Sequence, residues 1–145
     1  KNPKCEICPL QNDCSAFAIG EISKFPVKTK KVKTEDLALH YYFVKYKNQF
    51  LICRRATDFI WKNLYEFPTE IPKIWEKDIL NSKIIKHKLT HKNLSIQIDL
   101  VALNSEKEFL DFANQQNLQI VNLETANQKS FPKPLENYMN FGVEF

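Results

Sequence analysis

The stretch from Leu94 to Leu103, LSIQIDLVAL, constrains the fold of this chain more than any other part of it. Leu94, Ile96, Ile98 and Leu100 alternate with polar residues. Successive side chains of a strand point to opposite faces, so a period of two calls for a sheet with one buried side. Partners for that strand are present. IIKHKL (84–89) lies just upstream and completes a strand pair. LALHYYFVKY (37–46) and QFLICRR (49–55) are rich in β-branched, aromatic and aliphatic residues. Only Lys47 and Asn48 separate them, which predicts a hairpin. LQIVNL (118–123) is a last short strand.

Helical signals are interleaved with these strands. In SEKEFLDFANQQN (105–117), Ser105 stands three residues before Glu108, the spacing of a capping box. Phe109, Leu110, Phe112 and Ala113 then form an apolar side at helical spacing. KPLENYMNF (133–141) reads as a terminal helix with Pro134 near its start. The order strand, strand, loop, helix, strand, strand, helix, strand, helix predicts a compact α/β (α+β) fold, a mixed sheet packed with helices.

A chain of 145 residues, 43% hydrophobic, can bury a core of its own. The only glycines are Gly20 and Gly142, which argues against a Gly-rich phosphate loop. No apolar run is long enough to span a bilayer. The first residues carry neither an initiator Met nor an apolar signal core, so the chain is expected to be cut from a longer protein. The net charge of +4 is a mild pull toward polyanions. Residues 20–37, GEISKFPVKTKKVKTEDL, hold a Gly, a Pro, many Lys and no periodicity, and read as a connector. This leaves a Cys-bearing segment at 1–19 and a main domain at 38–145.

Three of the four cysteines, Cys5, Cys8 and Cys14, fall in ten residues as C-x2-C-x5-C. That spacing lets thiolates converge on one metal centre, zinc or iron–sulfur. Such sites take four ligands, and Cys53, inside a predicted strand, is poorly placed to be the fourth. Two disulfides would suit a secreted chain, but no secretory signal is seen, which favours a reducing compartment and a metal role. The alternatives are three free thiols or a fourth ligand upstream of Lys1.

CEICPLQNDCSAFAIG resembles the end of the 4Fe–4S loop of the helix-hairpin-helix DNA glycosylases, whose pattern is C-x6-C-x2-C-x5-C. Endonuclease III ends soon after that loop. The A/G-specific adenine DNA glycosylases (the MutY family) continue into a Nudix-like, MutT-like C-terminal domain. FIWKNLYEFP (59–68) resembles their GLWGGLWEFP, KHKLTH (86–91) their RHxFSH, and FPKPL (131–135) their LPxP. The resemblance covers almost the whole chain in the family's order. It departs at Lys62-Asn63, which replace paired glycines, and at Leu89 and Thr90, which replace the Phe and Ser of the loop.

The resemblance implies the C-terminal part of an adenine glycosylase of base-excision repair, with the catalytic helical domain, and every catalytic residue, outside these residues. Its implied partner is double-stranded DNA carrying 8-oxoguanine:adenine or guanine:adenine mispairs, and its implied place is the bacterial cytoplasm, at the nucleoid. Cys5, Cys8 and Cys14 would be three of four 4Fe–4S ligands in the full-length protein, with the cluster absent from the fragment. Leu89, Thr90, His91 and His87 would face the 8-oxoguanine, and Lys28, Lys30, Lys31, Lys33, Lys88 and Lys92 the phosphates. Thr90 and His91 would equally suit a polar turn, and the connector lysines, Lys24 among them, a solvated linker. Trp61, Tyr65, Phe67 and Trp75 read mainly as core. A monomer is expected, with a possible repair or replication partner at the connector.

Two other readings compete. A Nudix pyrophosphohydrolase needs a glutamate-rich helix to hold Mg²⁺. Here only Glu70, Glu76 and Asp78 lie between Phe67 and residue 99, without a Glu-Glu pair. A zinc-stabilised protein-interaction module would explain the cysteines but neither the LTH loop nor the WKNLYEFP match.

Overall fold

The computed structural model describes residues 3–25, 27, 33–56 and 58–143. It divides into two compact units, Lys1–Lys33 and Thr34–Phe145. The first holds short 3-10 turns at Cys5–Ile7, Gln11–Asp13 and Ile22–Lys24 and a single helical turn, α1, at Ser15–Ala18. None of its described residues is buried. Gly20 ends α1 at φ 69°, a conformation that glycine reaches without a Cβ clash.

The second unit is built on a mixed six-stranded sheet. Its strands are β1 (Glu35–Tyr46), β2 (Gln49–Arg54), β3 (Tyr65–Glu66), β4 (Ile79–Lys88), β5 (Lys92–Ala102) and β6 (Gln119–Asn122). The order is β3-β2-β1-β5-β4, with β6 also paired to β2. The expected hairpin is present: Tyr46 faces Gln49 and Lys47 takes φ 52° at the turn. The expected pair of β4 and β5 is antiparallel. At the centre, β1 and β5 run parallel and stay in register from Glu35↔Lys92 to Lys45↔Ala102.

Helices cover both faces. On one side, α3 (Leu123–Ala126) and α4 (Lys133–Phe141) bring Ala126, Leu135, Tyr138 and Met139 onto Tyr41, Phe43, Phe50, Ile52, Leu94, Ile96 and Ile98. This is the face that the alternation in β5 predicts. On the other side, α2 (Glu106–Gln115) packs Phe109, Phe112 and Ala113 against Val44, Leu51 and Val101. The N-cap half of the expected capping box is present: Ser105 Oγ accepts from the Glu108 N–H at 3.3 Å. Leu110 is a correction, since it is 41% exposed and lies off the buried stripe of α2.

Other expectations also change. The helix expected between the strand pairs is a 3-10 segment, Lys73–Asp78, whose Trp75 meets Phe112 edge-on at 4.8 Å. Strand β4 starts at Ile79 instead of Ile84. It is an edge strand exposed along most of its length, so burial imposes little hydrophobic pattern on its first half. Strand β1 starts at Glu35, within the expected connector, because its N–H bonds the His91 carbonyl at 3.0 Å. Lys28, Lys30 and Lys31 of the connector lie outside the described residues.

Two polar groups are buried in the sheet. Glu66 on β3 pairs with Arg55 just beyond β2, and both side chains are 11% exposed. The Tyr41 hydroxyl donates to Glu66 Oε2 at 3.0 Å and accepts from Arg55 Nη1 at 3.1 Å. Burial, with the Glu66 charge, pushes the Tyr41 phenol far above its ordinary value. Asp99 on β5 accepts from Gln97 Nε2 at 3.1 Å and lies 2.8 Å from His40 Nε2. Burial works against its charge, yet hydrogen bonds from Ser82, Gln97 and His40 outweigh it and hold the carboxyl below its ordinary value.

Removing one partner of a buried pair strands the other, so Glu66→Ala is expected to lose about 3–5 kcal/mol in urea unfolding. An Arg55→Met, Glu66→Leu double variant should recover most of it, because no charge is left buried. A loss under about 1 kcal/mol in the single variant would contradict this account. For Asp99, the folded pKa is the lower one. Its contribution is therefore complete above the unfolded value of about 3.9 and is lost as pH falls through the folded value. Urea midpoints of wild type and Asp99→Asn should differ at pH 7 and converge below about pH 4. Curves that stay parallel down to pH 2 would contradict it.

Candidate nucleic-acid interface

The turn between β4 and β5 is the tip of a hairpin. It is closed by the Leu89 N–H donating to the Lys92 carbonyl at 2.8 Å. Thr90 and His91 are exposed at this tip. Leu89 is half-buried and packs against the core under the sheet, so its side chain is committed to the fold. His87, one turn of the pleat back, points to the same side as Leu89, and its ring lies 6.4 Å from that of Trp61. Thr90 and His91 therefore stand free, while Leu89 and His87 anchor the hairpin beneath them.

Basic side chains surround this tip unevenly. Lys88, next to it in the chain, is exposed; Lys33, also exposed, belongs to the first unit. Lys92 Nζ is held by Glu35 Oε2 at 2.7 Å, which lowers the Glu35 carboxyl chiefly through that hydrogen bond. Beside the tip, on the side of the sheet that α3 and α4 leave open, a groove of about 640 Å³ is lined by Asp36, Ala38, Lys86, Lys88, Asn93 and Ser95 among others. The Asn93 amide donates to Asp36 Oδ1 at 2.8 Å on its floor. The groove's lining is largely apolar, but Lys86 and Lys88 on its rim are solvent-facing, as contacts to a phosphate backbone require.

A second loop, between β2 and β3, borders the tip; its sequence matches the family segment at 59–68, but Phe59 carries no expected role there. It is closed by Arg55 N–H to the Leu64 carbonyl at 2.9 Å and Asn63 N–H to the Arg55 carbonyl at 3.0 Å. Where the family pattern has glycines at 62 and 63, Asn63 takes φ 67° and Trp61 takes φ 65°. Asn tolerates this region; a bulky aromatic there is an outlier costing about 1–3 kcal/mol. Ile60 and Trp61 turn inward onto the core. Phe59 turns outward, 43% exposed, with Lys92 Nζ 5.2 Å over its ring. The signal available in the sequence was Phe59 itself, an aromatic where the family segment begins with Gly. The remaining aromatics are core, as read: Phe67 and Trp75 are buried, and Trp61 and Tyr65 pack against the core.

The cysteines form a separate question. Cys5 and Cys14 are half-buried and Cys8 is exposed. Thiolates are the right donors for iron–sulfur, but among the described residues no group of three or more His, Cys, Asp or Glu comes together to hold a metal ion. The three cysteines as arranged here do not by themselves fit a cluster. Cys53, half-buried in β2, has its thiol pushed up to about 11 by burial and by the Glu66 charge, which makes it a poor metal ligand. No helix among the described residues is long and apolar enough to cross a membrane.

Comparison with known proteins places these features. The model of the iron-sulfur binding domain of endonuclease III matches residues 1–14, which supports a 4Fe–4S cluster in the parent protein. Adenine DNA glycosylases from three Buchnera aphidicola subspecies match nearly the whole chain. That of Schizaphis graminum is 34% identical over 96% of this chain and 43% of its own length. That of Baizongia pistaciae is 31% identical over 91% of this chain and 42% of its own. That of Acyrthosiphon pisum is 28% identical over 94% of this chain and 42% of its own. The chain thus spans about two-fifths of the length of these relatives, and the two kinds of match together fit a C-terminal portion of an adenine DNA glycosylase. The NUDIX domain model matches residues 40–140, from the middle of β1 to the end of α4, and with that match laid over the mixed sheet and its covering helices the chain belongs to the NUDIX domain family.

Proposed function

We propose that this chain is the lesion-reading region of an adenine DNA glycosylase that removes adenine paired with 8-oxoguanine or guanine. Residues 1–19 end the cluster loop, 20–37 connect, and 38–145 read the base opposite the adenine. The observation that carries the reading is the hairpin tip, where Thr90 and His91 stand exposed on a rigid strand pair with Lys88 at their side. The names of the Buchnera relatives agree with it.

The discrimination required is small in atoms. Guanine presents N7 to the major groove as an acceptor. In 8-oxoguanine that nitrogen carries a hydrogen and stands beside a new oxygen acceptor. A hydroxyl can accept from the one and donate to the other, and Thr90 supplies one. A carboxylate can only accept and an aliphatic chain can do neither. Leu89 and His87 hold the tip, and Lys88, Lys92, Lys86 and the connector lysines meet phosphates in any sequence. Hydrolysis of the glycosidic bond belongs to the rest of the parent, so this chain alone is inactive. Cys5, Cys8 and Cys14 are three of the parent's cluster ligands, and the cluster's part is to order a DNA-contacting loop. The protein acts as a monomer on double-stranded DNA in the cytoplasm, at the nucleoid.

One hydrogen bond contributes about 0.5–1.5 kcal/mol net. Thr90→Ala in the full-length enzyme should therefore cut the preference for 8-oxoguanine:adenine over guanine:adenine by roughly two- to tenfold in single-turnover adenine release. Thr90→Ser should keep it. Unchanged relative rates on the two mispairs would sink the assignment.

A further inference from the structure

We infer that Phe59 is a base-stacking residue of this interface, filling the opening left in the duplex when the adenine is withdrawn. The inference rests on the function proposed above and adds a residue that the family pattern does not supply.

Four observations lead to it. Leu89 has no aromatic face to offer and is packed into the fold. Phe59 is a large aromatic left outside the core while Ile60 and Trp61, next in the chain, pack inward. Its position is set from two directions: Lys92, the first residue of β5 after the tip, stands over its ring at 5.2 Å, and Trp61 lies against His87 of β4. The loop closes on itself through Arg55, Asn63 and Leu64, so Phe59 is displayed from a braced turn.

The chemistry of the partner follows. Taking a base out of a duplex uncovers the π-faces of its neighbours. An aromatic wedge can cover them, and stacking tolerates any base because every base has such a face. The ammonium over Phe59 adds charge complementarity to the same surface, since Lys92 can remain on the ring while the strand's phosphates lie alongside. The occupant is therefore a nucleobase beside a gap in DNA. The division of labour is that Thr90 reads the lesion and Phe59 reads the gap.

The test separates those two roles. Fluorescence anisotropy would follow binding of this chain to three duplexes: 8-oxoguanine opposite a tetrahydrofuran abasic analogue, guanine opposite the same analogue, and a fully paired control. Phe59→Ala is expected to weaken both gapped duplexes about tenfold and to leave the paired control nearly unchanged. Phe59→Trp should retain gap binding, and Phe59→Leu should restore little of it. Thr90→Ala should move the ratio between 8-oxoguanine and guanine and not the ratio between gapped and paired. Circular dichroism and thermal midpoints matching wild type would exclude misfolding, and a Phe59→Ala that unfolds would hand the decision to Trp against Leu. Equal binding of gapped duplex by wild type and Phe59→Ala, or by the Trp and Leu variants, would overturn the stacking role while leaving the Thr90 reading intact. Gap binding that needs Phe59 but ignores the lesion would overturn the Thr90 reading alone. Absence of binding to all three duplexes would overturn both.

Discussion

The parallel pairing of β1 with β5 is the constraint from which the rest of the domain follows. It brings residues some 57 positions apart, Glu35 and Lys92, into register and holds that register to Lys45 and Ala102. Since side chains alternate along both strands, one register decides every face. Leu39, Tyr41 and Phe43 stand beside Ile96, Ile98 and Leu100 and take the helices α3 and α4. Val44 stands beside Val101 and takes α2. A slip of one residue would turn both cores outward. The same pairing fixes the site, because the β4–β5 tip is tied to the start of β1 through the His91 carbonyl. A recognition loop placed there inherits the stiffness of the sheet's centre.

What could be read from the sequence was whatever is local. The alternation in β5, the two-residue turn at Lys47 and Asn48 and the cap at Ser105 are encoded within a few residues, and each stands in the structure. What could not be read is set at a distance. The parallel register leaves no local mark. The first half of β4 is exposed, so its residues carry little periodicity, and β3 is two residues long, below any window of pattern. The candidate site divides the same way. Thr90 and His91 were visible through a resemblance of short motifs, whereas Phe59 matters only because of which way its loop turns. That turn depends on left-handed backbone at Trp61 and Asn63, which residue types without glycine do not announce.

The buried group of Tyr41, Arg55 and Glu66 explains how such a loop is held. Its members come from β1, from the residue after β2 and from β3, and so bracket the loop at both ends. An ion pair of this kind adds less to stability than its Coulomb energy suggests, since both charges were dried first. What it supplies is direction: Arg55 cannot leave without stranding Glu66. The loop's backbone bonds, Arg55 to Leu64 and Asn63 to Arg55, start from that fixed residue. Its outlying φ values can persist because the surroundings over-determine them.

Lys47, Trp61, Asn63 and Asn117 all hold positive φ, in a chain that has glycine only at 20 and 142. At Lys47 and Trp61 this carries a steric cost of roughly 1–2 kcal/mol that a glycine would not, while Asn63 and Asn117 tolerate the region better. The chain thus sits below the stability its own backbone would permit, with single substitutions at exposed turns that lead upward. Proteins under selection rest near the threshold their function needs and not at their optimum. Here the distance from that optimum is written in the turns, most plainly at Lys47, exposed at the β1–β2 turn with φ 52°.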